Sequence, residues 1–304
     1  MASSVDESRF DVLATEAARE PGADYDLSST VELVGLMNAE DETVPAAVAE
    51  ATGQIVVVIE VIAESLRRGG RLIYVGAGSS GRIAALDAAE CESTFAAAPG
   101  QVVAVVAGGA DASALEQVAA EDDRAAGRRE VAALEPRPED VVVGISASGR
   151  TPYVVAALEA AVAVGAATAC VVSVPESELE AVVEHPIVVL VGPEFLAGST
   201  RLKAGTAQKL VLNMLSTISM IRLGKTYGNL MVDVAATNEK LRARVQRIVR
   251  AATGAPVEEV DAALAASDGD AKVAIVSLLA GIGADEARTR LDDSGQSIRA
   301  AVEQ

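Results

Sequence analysis

Short hydrophobic runs alternate with helical patterns between about residue 56 and residue 222. Each run is rich in Val and Ile and almost uninterrupted by polar residues, which is typical of strands buried on both faces of a sheet. The runs are Arg71–Ala77, Val102–Gly109, Asp140–Ser146, Thr168–Val174 and Pro186–Gly192. Helical spacing is found between them, in Ile83–Ala88, Ala114–Ala126 and Pro152–Val164. The alternation predicts a doubly wound α/β fold, with a parallel, flavodoxin-like sheet covered by helices.

Both flanks of this region have helical patterns only. Residues 1–55 predict an N-terminal helical segment, residues 56–222 the α/β domain, and residues 223–304 a small C-terminal helical module. No strand is predicted after residue 222, and glycines at positions 254, 269, 283 and 295 divide the C-terminal module into short amphipathic helices.

Composition narrows the function. The chain is 50% hydrophobic but only 2% aromatic, so its core must be built from Ala, Val, Leu and Ile. A net charge of −19 argues against nucleic-acid or membrane partners. One histidine excludes a multi-histidine metal site, and two cysteines cannot make a disulfide framework. With no signal-peptide pattern and no apolar run of about 20 residues, we expect a soluble cytoplasmic protein.

Two strand-to-helix junctions are rich in Gly and Ser, at Gly76–Arg82 and Ser146–Thr151. Such turns direct N–H groups and the positive end of a helix toward an anion, so two of them favour phosphate binding. The alternative is that they are tight turns with serine N-caps. The first junction also matches the dinucleotide motif G-x-G-x-x-G, but the next strand ends at Gly109 without the carboxylate that would hold a ribose. A sugar monophosphate is therefore favoured over a nucleotide.

One stretch is cationic in this acidic chain. No Asp or Glu lies between Phe195 and Val232, where a polar loop enters a helix. A buried helix with basic side chains reaching out at its ends is the alternative, and it accounts for Arg222 and Lys225. The polar residues predicted to contact an anionic substrate are Ser199, Thr200 and Lys203.

Long blocks of sequence resemble one family. They include RLIYVGAGSSGRIAALDAAECESTF (71–95), VVAVVAGGA followed by AAEDD (102–110 and 119–123), and DVVVGISASGRTPYV (140–154). The longest are GSTRLKAGTAQKLVLNMLST (198–217) and GKTYGNLMVDVAATNEKL (224–241). These blocks are similar to those of the N-acetylmuramic acid 6-phosphate etherases, members of the sugar-isomerase (SIS) superfamily. The similarity runs from about residue 15 to the C-terminus.

The resemblance implies a site and a reaction. The family's catalytic pair falls on Glu90 and Glu121, with Glu121 acting at C2 of the sugar and Glu90 at the lactyl leaving group and the incoming water. It implies a homodimer, a sugar phosphate as the small-molecule partner, no metal or organic cofactor, and a ubiquitin-associated-like (UBA-like) C-terminal module. The implied contacts to the sugar and its phosphate are Gly78, Ser79, Ser80, Ser146, Ser148 and Thr151.

The chain departs from the family pattern in three places. Glu92 and Ser93 replace a usual Pro-Pro pair after the first glutamate and place a new carboxylate near Glu90. Val118 stands where an acid is common, and the usual asparagine after the N-terminal Thr-Glu is absent. The nearest enzymatic alternative is a sugar-phosphate isomerase on the same fold. The alternative from another functional class is a non-catalytic sugar-phosphate sensor.

Overall fold

The computed structural model describes residues 17, 24–109, 116, 119–233 and 239–304. The chain forms two compact units. The first contains the described residues of Met1–Ala88 and Gln101–Leu215, and the second those of Ala89–Gly100 and Ser216–Gln304. Residues 1–16 and 18–23 of the predicted N-terminal segment, and position 118, lie outside the described residues. The three-part division at residues 55 and 222 stays a prediction.

A five-stranded parallel sheet forms the centre of the first unit, which confirms the predicted α/β class. The order is β2-β1-β3-β4-β5, so the direction of winding reverses between β1 and β3. In open α/β sheets, ligands bind beyond the carboxyl ends of the strands at such a point. The strands are β1 Leu72–Gly76, β2 Val102–Val106, β3 Val141–Ile145, β4 Ala167–Val172 and β5 His185–Val188.

The sheet forms where the sequence has its short apolar runs. Every residue of β1 and β3 is buried, because these central strands are covered on both faces. The edge strand β2 is mostly half-buried. At the opposite end from the carboxyl edge, Asp140 accepts hydrogen bonds from the Arg71 N–H (2.8 Å) and from its guanidinium (2.7 Å). This ion pair, in which Asp140 is buried and Arg71 half-buried, holds the start of β1 beside the start of β3.

Helices cover this sheet and precede it. An apolar ridge of α3 at helical spacing is buried, including Ile55, Ile59 and Ile62. The helices that lie in or enter the first unit are α1 Thr30–Asp41, α2 Val44–Glu50, α3 Thr52–Arg67, α4 Gly78–Phe95, α5 Arg124–Ala132, α6 Pro152–Ala163, α7 Glu178–Val182 and α8 Lys203–Arg222.

Helix α1 begins with a capping box, in which Ser29 and Glu32 satisfy each other's backbone N–H groups. Yet none of its residues is buried within the single chain. Its apolar side chains Val31 and Val34 are 83% and 65% exposed, and Leu27 just before it is 79% exposed. Helix α1 therefore has an apolar surface that the described residues do not cover. Isolated helices of this length are marginal in water, so a contact on this surface would stabilise it.

The second unit corrects one prediction. A short antiparallel hairpin, β6 Thr226–Tyr227 and β7 Leu230–Met231, follows α8, where no strand was expected. It is two residues long on each side, too short for a periodic signal. Five helices follow and bury a core around Val249, Ile275 and Leu291. They are α9 Glu239–Thr253, α10 Val257–Ala266, α11 Ala271–Ala280, α12 Ala284–Asp293 and α13 Ile298–Glu303.

Two predicted helices have different limits in the structure. Helix α4 continues past Glu90 to Phe95, since Glu92 and Ser93 are compatible with a helix. The predicted helix Ala114–Ala126 is wrong at its end: residues 121–122 form a turn, and a new helix begins at Arg124. The Asp123 carboxylate accepts from the Ala126 N–H at 2.8 Å and so caps that helix. Residues 110–115 and 117–118 of this segment lie outside the described residues.

Across the described ranges, no single helix combines the length and apolar character needed to span a membrane. One bent pair of helical segments, Thr30–Glu50 and Thr52–Arg67, which meet at 63°, is long and apolar enough by length and composition only.

Candidate active site at the carboxyl ends of β1 and β3

The first Gly/Ser-rich segment follows β1 and becomes the first turn of α4. Gly78 begins the helix with a φ of +52°. Ser79 and Ser80 follow it and are half-buried, with the Ser79 hydroxyl accepting a hydrogen bond from the Arg82 guanidinium at 3.2 Å. The segment therefore places two hydroxyls at the N-terminus of an 18-residue helix, a position that favours negative charge.

The second segment follows β3 and gathers three hydroxyls. Ser146 lies 2.8 Å from the Thr151 hydroxyl and 3.4 Å from that of Ser148. The Ser146 hydroxyl also accepts from the Gly149 N–H at 3.1 Å. Thr151 is the N-cap residue of α6, but its side chain makes no capping bond. The N-cap alternative therefore does not account for the Thr151 hydroxyl, which faces Ser146 instead.

Gly149 is required by the shape of this second segment. Its φ is +63°, and a Cβ at this position would lie 2.4 Å from both Cβ and Oγ of Ser177. A side chain here would meet both a strained backbone and a collision. Gly149 thus lets the Ser146–Thr151 turn approach the residues that precede α7.

Glu121 is tied to both segments. Its carboxylate occupies the space beside Gly78, where a Cβ on that glycine would lie 2.7 Å from Oε1. Its backbone carbonyl accepts from the Tyr153 N–H, at the start of α6, at 3.0 Å. Because β1 and β3 are neighbours, with Gly76 beside Ile145, this one turn bridges the two hydroxyl-rich segments.

Burial raises the pKa of the Glu121 carboxyl, and the neighbouring Asp122 carboxylate raises it further, while Arg82 acts in the opposite direction. A carboxylate with a raised pKa is a better proton acceptor than an ordinary glutamate. The arrangement can therefore hold an anion at the hydroxyls and remove a proton nearby.

Glu90 lies on the part of α4 that belongs to the second unit. It is exposed, and its carbonyl accepts from the Ser93 hydroxyl at 3.2 Å. Glu90 is thus on a regular helix, whereas Glu121 is in a turn. Its catalytic role stays a prediction from the family resemblance.

The cationic stretch is not acid-free in three dimensions. The Lys203 ammonium is buried and lies 2.9 Å from the Glu40 carboxylate. Glu194, which is fully buried, accepts from the N–H groups of Lys203 (2.8 Å) and Ala204 (3.0 Å) and occupies the N-terminus of α8. Two acids from outside the stretch, one of them distant in sequence, thus neutralise this helix start, so Lys203 is not a free cation for a substrate. Ser199 and Thr200, in the loop before α8, stay predicted contacts.

Two polar side chains stand out that the pattern did not single out. The Gln208 amide is 1% exposed, and neither its nitrogen nor its oxygen has a hydrogen-bond partner among the described residues. The Arg150 Nε is buried and likewise has no partner there. Arg150 lies inside the second hydroxyl-rich segment, so its position was visible in the sequence, but its lack of a partner was not. No group of three or more His, Cys, Asp or Glu suited to a metal ion occurs among the residues that the structure describes.

Known proteins resemble both the fold and the whole sequence. The family model of the glucokinase regulatory protein N-terminal SIS domain matches residues 54–162. A Bacteroides fragilis structure provisionally assigned as a phosphosugar isomerase involved in capsule formation has a TM-score of 0.50 at 19% identity, covering 64% of this chain and 91% of that chain. At this identity the likeness shows the fold.

The full-length relatives are more specific. An N-acetylmuramic acid 6-phosphate etherase from Rubrobacter xylanophilus is 55% identical over 97% of both chains. The Streptomyces coelicolor enzyme of the same name is 54% identical, over 97% of this chain and 95% of its own. An Escherichia coli relative with that name is 47% identical over 97% and 99%. With this similarity along the whole chain, and two Gly/Ser-rich segments bridged by Glu121, the chain belongs to the N-acetylmuramic acid 6-phosphate etherase family.

Proposed function

We propose that this chain cleaves the D-lactyl ether of N-acetylmuramic acid 6-phosphate, giving N-acetylglucosamine 6-phosphate and D-lactate in the recycling of cell-wall amino sugars. The observation that carries this proposal is the position of Glu121. Its carboxyl group has a raised pKa and lies beside Gly78, and its backbone carbonyl accepts from the Tyr153 N–H just after the second segment. The reaction needs a base near C2 of a sugar whose phosphate is bound, and we assign this role to Glu121.

The chemistry follows from the open-chain form of the sugar. Its aldehyde makes the C2 proton acidic, and the lactyl oxygen on C3 is then a β leaving group. Glu121 removes the C2 proton, the C3–O bond breaks, and Glu90 protonates the departing lactate oxygen. Water then adds to C3 of the unsaturated aldehyde, losing its proton to Glu90, while Glu121 returns a proton to C2. Each carboxyl group thus acts once as acid and once as base.

The phosphate is assigned to the two hydroxyl-rich segments. Ser79 and Ser80 lie in the first turn of α4, and Ser148 and Thr151 lie before α6, so neutral donors and two helix N-termini are available together. Ser146 is buried and hydrogen-bonded to Thr151. We therefore assign it two roles: it contacts the sugar, and it holds the cluster of hydroxyls together. Neutral donors suit a phosphate in a protein that has a net charge of −19.

Isotope labels distinguish elimination from displacement at the lactyl carbon. We expect turnover in D₂O to place deuterium at C2 of N-acetylglucosamine 6-phosphate, and turnover in H₂¹⁸O to place ¹⁸O on its C3 hydroxyl. Mass spectrometry of both products measures this. Recovery of ¹⁸O in lactate with C2 unexchanged would overturn the mechanism. Exchange at C2 without release of lactate would instead support the isomerase alternative.

We infer that the protein acts as a homodimer in the cytoplasm. The support for a dimer is α1, whose apolar residues Val31 and Val34 are exposed in the single chain. We expect light scattering to give twice the mass of one chain, and the double variant Val31→Glu, Val34→Glu to give a monomer. Val162→Glu, at a 48% exposed position on α6, is the control that should stay dimeric. A monomeric unaltered protein would refute the dimer, and activity confined to the membrane fraction of cells would refute the location.

A further inference from the structure

The arginines of the first unit fall into two groups. Most of the described arginines form ion pairs with carboxylates. These are Arg67, Arg68, Arg71, Arg124, Arg128, Arg129 and Arg137. Arg150 makes no side-chain hydrogen bond or ion pair with any described residue, and its Nε is buried. Arg201 is also unpaired in this part of the chain, but it is exposed to water. Arg150 is thus a partly buried guanidinium whose charge the described residues of this unit leave unmatched.

The backbone of Arg150, by contrast, is held firmly. Its N–H donates to the Ser148 hydroxyl at 3.3 Å, and it follows Gly149, whose position against Ser177 allows no side chain. It precedes Thr151, whose hydroxyl bonds Ser146. A buried donor without a partner costs about 1–3 kcal/mol, and an arginine cannot lose its proton to avoid this cost. Such a residue in a binding segment indicates an anionic ligand that completes it.

The chemistry of a guanidinium narrows that ligand. Its planar fork donates two parallel hydrogen bonds and matches a carboxylate or a phosphate. The proposed substrate carries both of these anions. The phosphate is already provided with hydroxyls and helix N-termini, whereas no residue has been assigned to the lactyl carboxylate.

We propose that Arg150 binds the lactyl carboxylate and thereby selects sugar phosphates that carry this ether over those that do not. The inference rests on the proposed function for the identity of the substrate. It makes Arg150 a specificity-determining residue, because a sugar phosphate without the lactyl group would leave the guanidinium unpaired. The product, N-acetylglucosamine 6-phosphate, is such a compound, so the same contact favours product release.

Binding of two ligands tests the assignment. Isothermal titration calorimetry on Glu121→Gln protein, which we expect not to turn over, measures the Kd of N-acetylmuramic acid 6-phosphate and of N-acetylglucosamine 6-phosphate. In that background, Arg150→Met should weaken the first by about 10- to 100-fold, the loss expected for hydrogen bonds to a charged group, and leave the second unchanged. Arg150→Lys, which keeps the charge but not the fork, should lie between. Arg128→Met, an exposed control with the same charge change, should alter neither.

Each other outcome overturns the assignment. Equal weakening of both ligands would place Arg150 at the phosphate, and no weakening of either would remove it from the site. Thermal unfolding of each variant shows whether the fold is retained, and Arg150→Lys serves if Arg150→Met unfolds. Lactate release by the unaltered protein is a separate measurement. If it fails while both ligands bind, the proposed function is wrong, yet the comparison at Arg150 still decides the carboxylate contact.

Discussion

Changing Glu121 to Gln should lower lactate release by at least about 100-fold, the contribution expected of a general base. Gln keeps the size of the side chain beside Gly78 but cannot accept the C2 proton. The fold should survive, because burial raises the pKa of Glu121 and its ionised form therefore costs stability at neutral pH. A lactate assay together with thermal unfolding separates lost chemistry from lost structure.

Glu90→Gln should have a comparable effect, because no acid then protonates the oxygen of the leaving lactate. Glu92→Gln is its matched control, being an exposed carboxylate on the same helix. Near-normal turnover in both Glu90→Gln and Glu121→Gln would show that the two glutamates are not the catalytic pair.

Gly78→Ala adds an independent check: its Cβ would lie 2.7 Å from the Glu121 carboxylate and displace it. Activity should therefore fall even though both glutamates are present.

The pH profile should carry the signature of Glu121. The base must be ionised, so kcat/KM falls as the pH drops through its pKa, which is raised above that of an ordinary glutamate. Because the Asp122 carboxylate contributes to this increase, Asp122→Asn should move the acidic limb to lower pH while keeping turnover at neutral pH. An acidic limb that did not move would remove Glu121 from the rate-determining proton transfer.

The phosphate should be essential for binding. The double variant Ser79→Ala, Ser148→Ala should raise KM by about 100-fold or more, since hydrogen bonds to a charged group contribute about 1.5–3 kcal/mol each. Unphosphorylated N-acetylmuramic acid should be a very poor substrate of the unaltered protein, because both segments would lack their anion. Steady-state kinetics on the two sugars measures both effects.

Ser294→Ala is the control for these serine changes. Its hydroxyl, in the second unit, donates to the carbonyl of Leu291 at 3.1 Å, and its loss should leave KM unchanged. Equal catalytic efficiency on the phosphorylated and unphosphorylated sugars would exclude a phosphate site. An unchanged KM in the double variant would move that site away from the two segments.

The five strands of the sheet could be predicted closely, because a strand buried on both faces needs an unbroken apolar run, and this requirement is local. The apolar runs at Leu72–Gly76 and Val141–Ile145 are continuous, and the structure has strands there. The hairpin of Thr226–Tyr227 and Leu230–Met231 was not predicted, because strands of two residues are too short to show the alternating pattern of a strand. The limits of helices were predicted less accurately than the strands. Residues 121–122 form a turn, because Asp123 caps a new helix that begins at Arg124.

Some features of the candidate site could likewise be predicted from the sequence, and others could not. The hydroxyl-rich segments could be found from their composition and their place after strands, and Glu121 could be identified by family resemblance. That the Glu121 carboxylate lies against Gly78 while its carbonyl bonds Tyr153 depends on which strands are neighbours, a long-range property. The partner of Lys203 is Glu40, more than 160 residues earlier in the chain, so the lysine looked free in the sequence although it is paired.

The sequence by itself determined the class of fold, the two segments suited to an anion and the identity of the family, because all three are written in runs of adjacent residues. Only the tertiary structure decided which charges remain unmatched. Lys203 is neutralised by Glu40, whereas the Arg150 guanidinium has no partner among the described residues. The physical reason is that a charge is balanced by its neighbours in space, and chain folding brings those neighbours from segments that are distant in sequence.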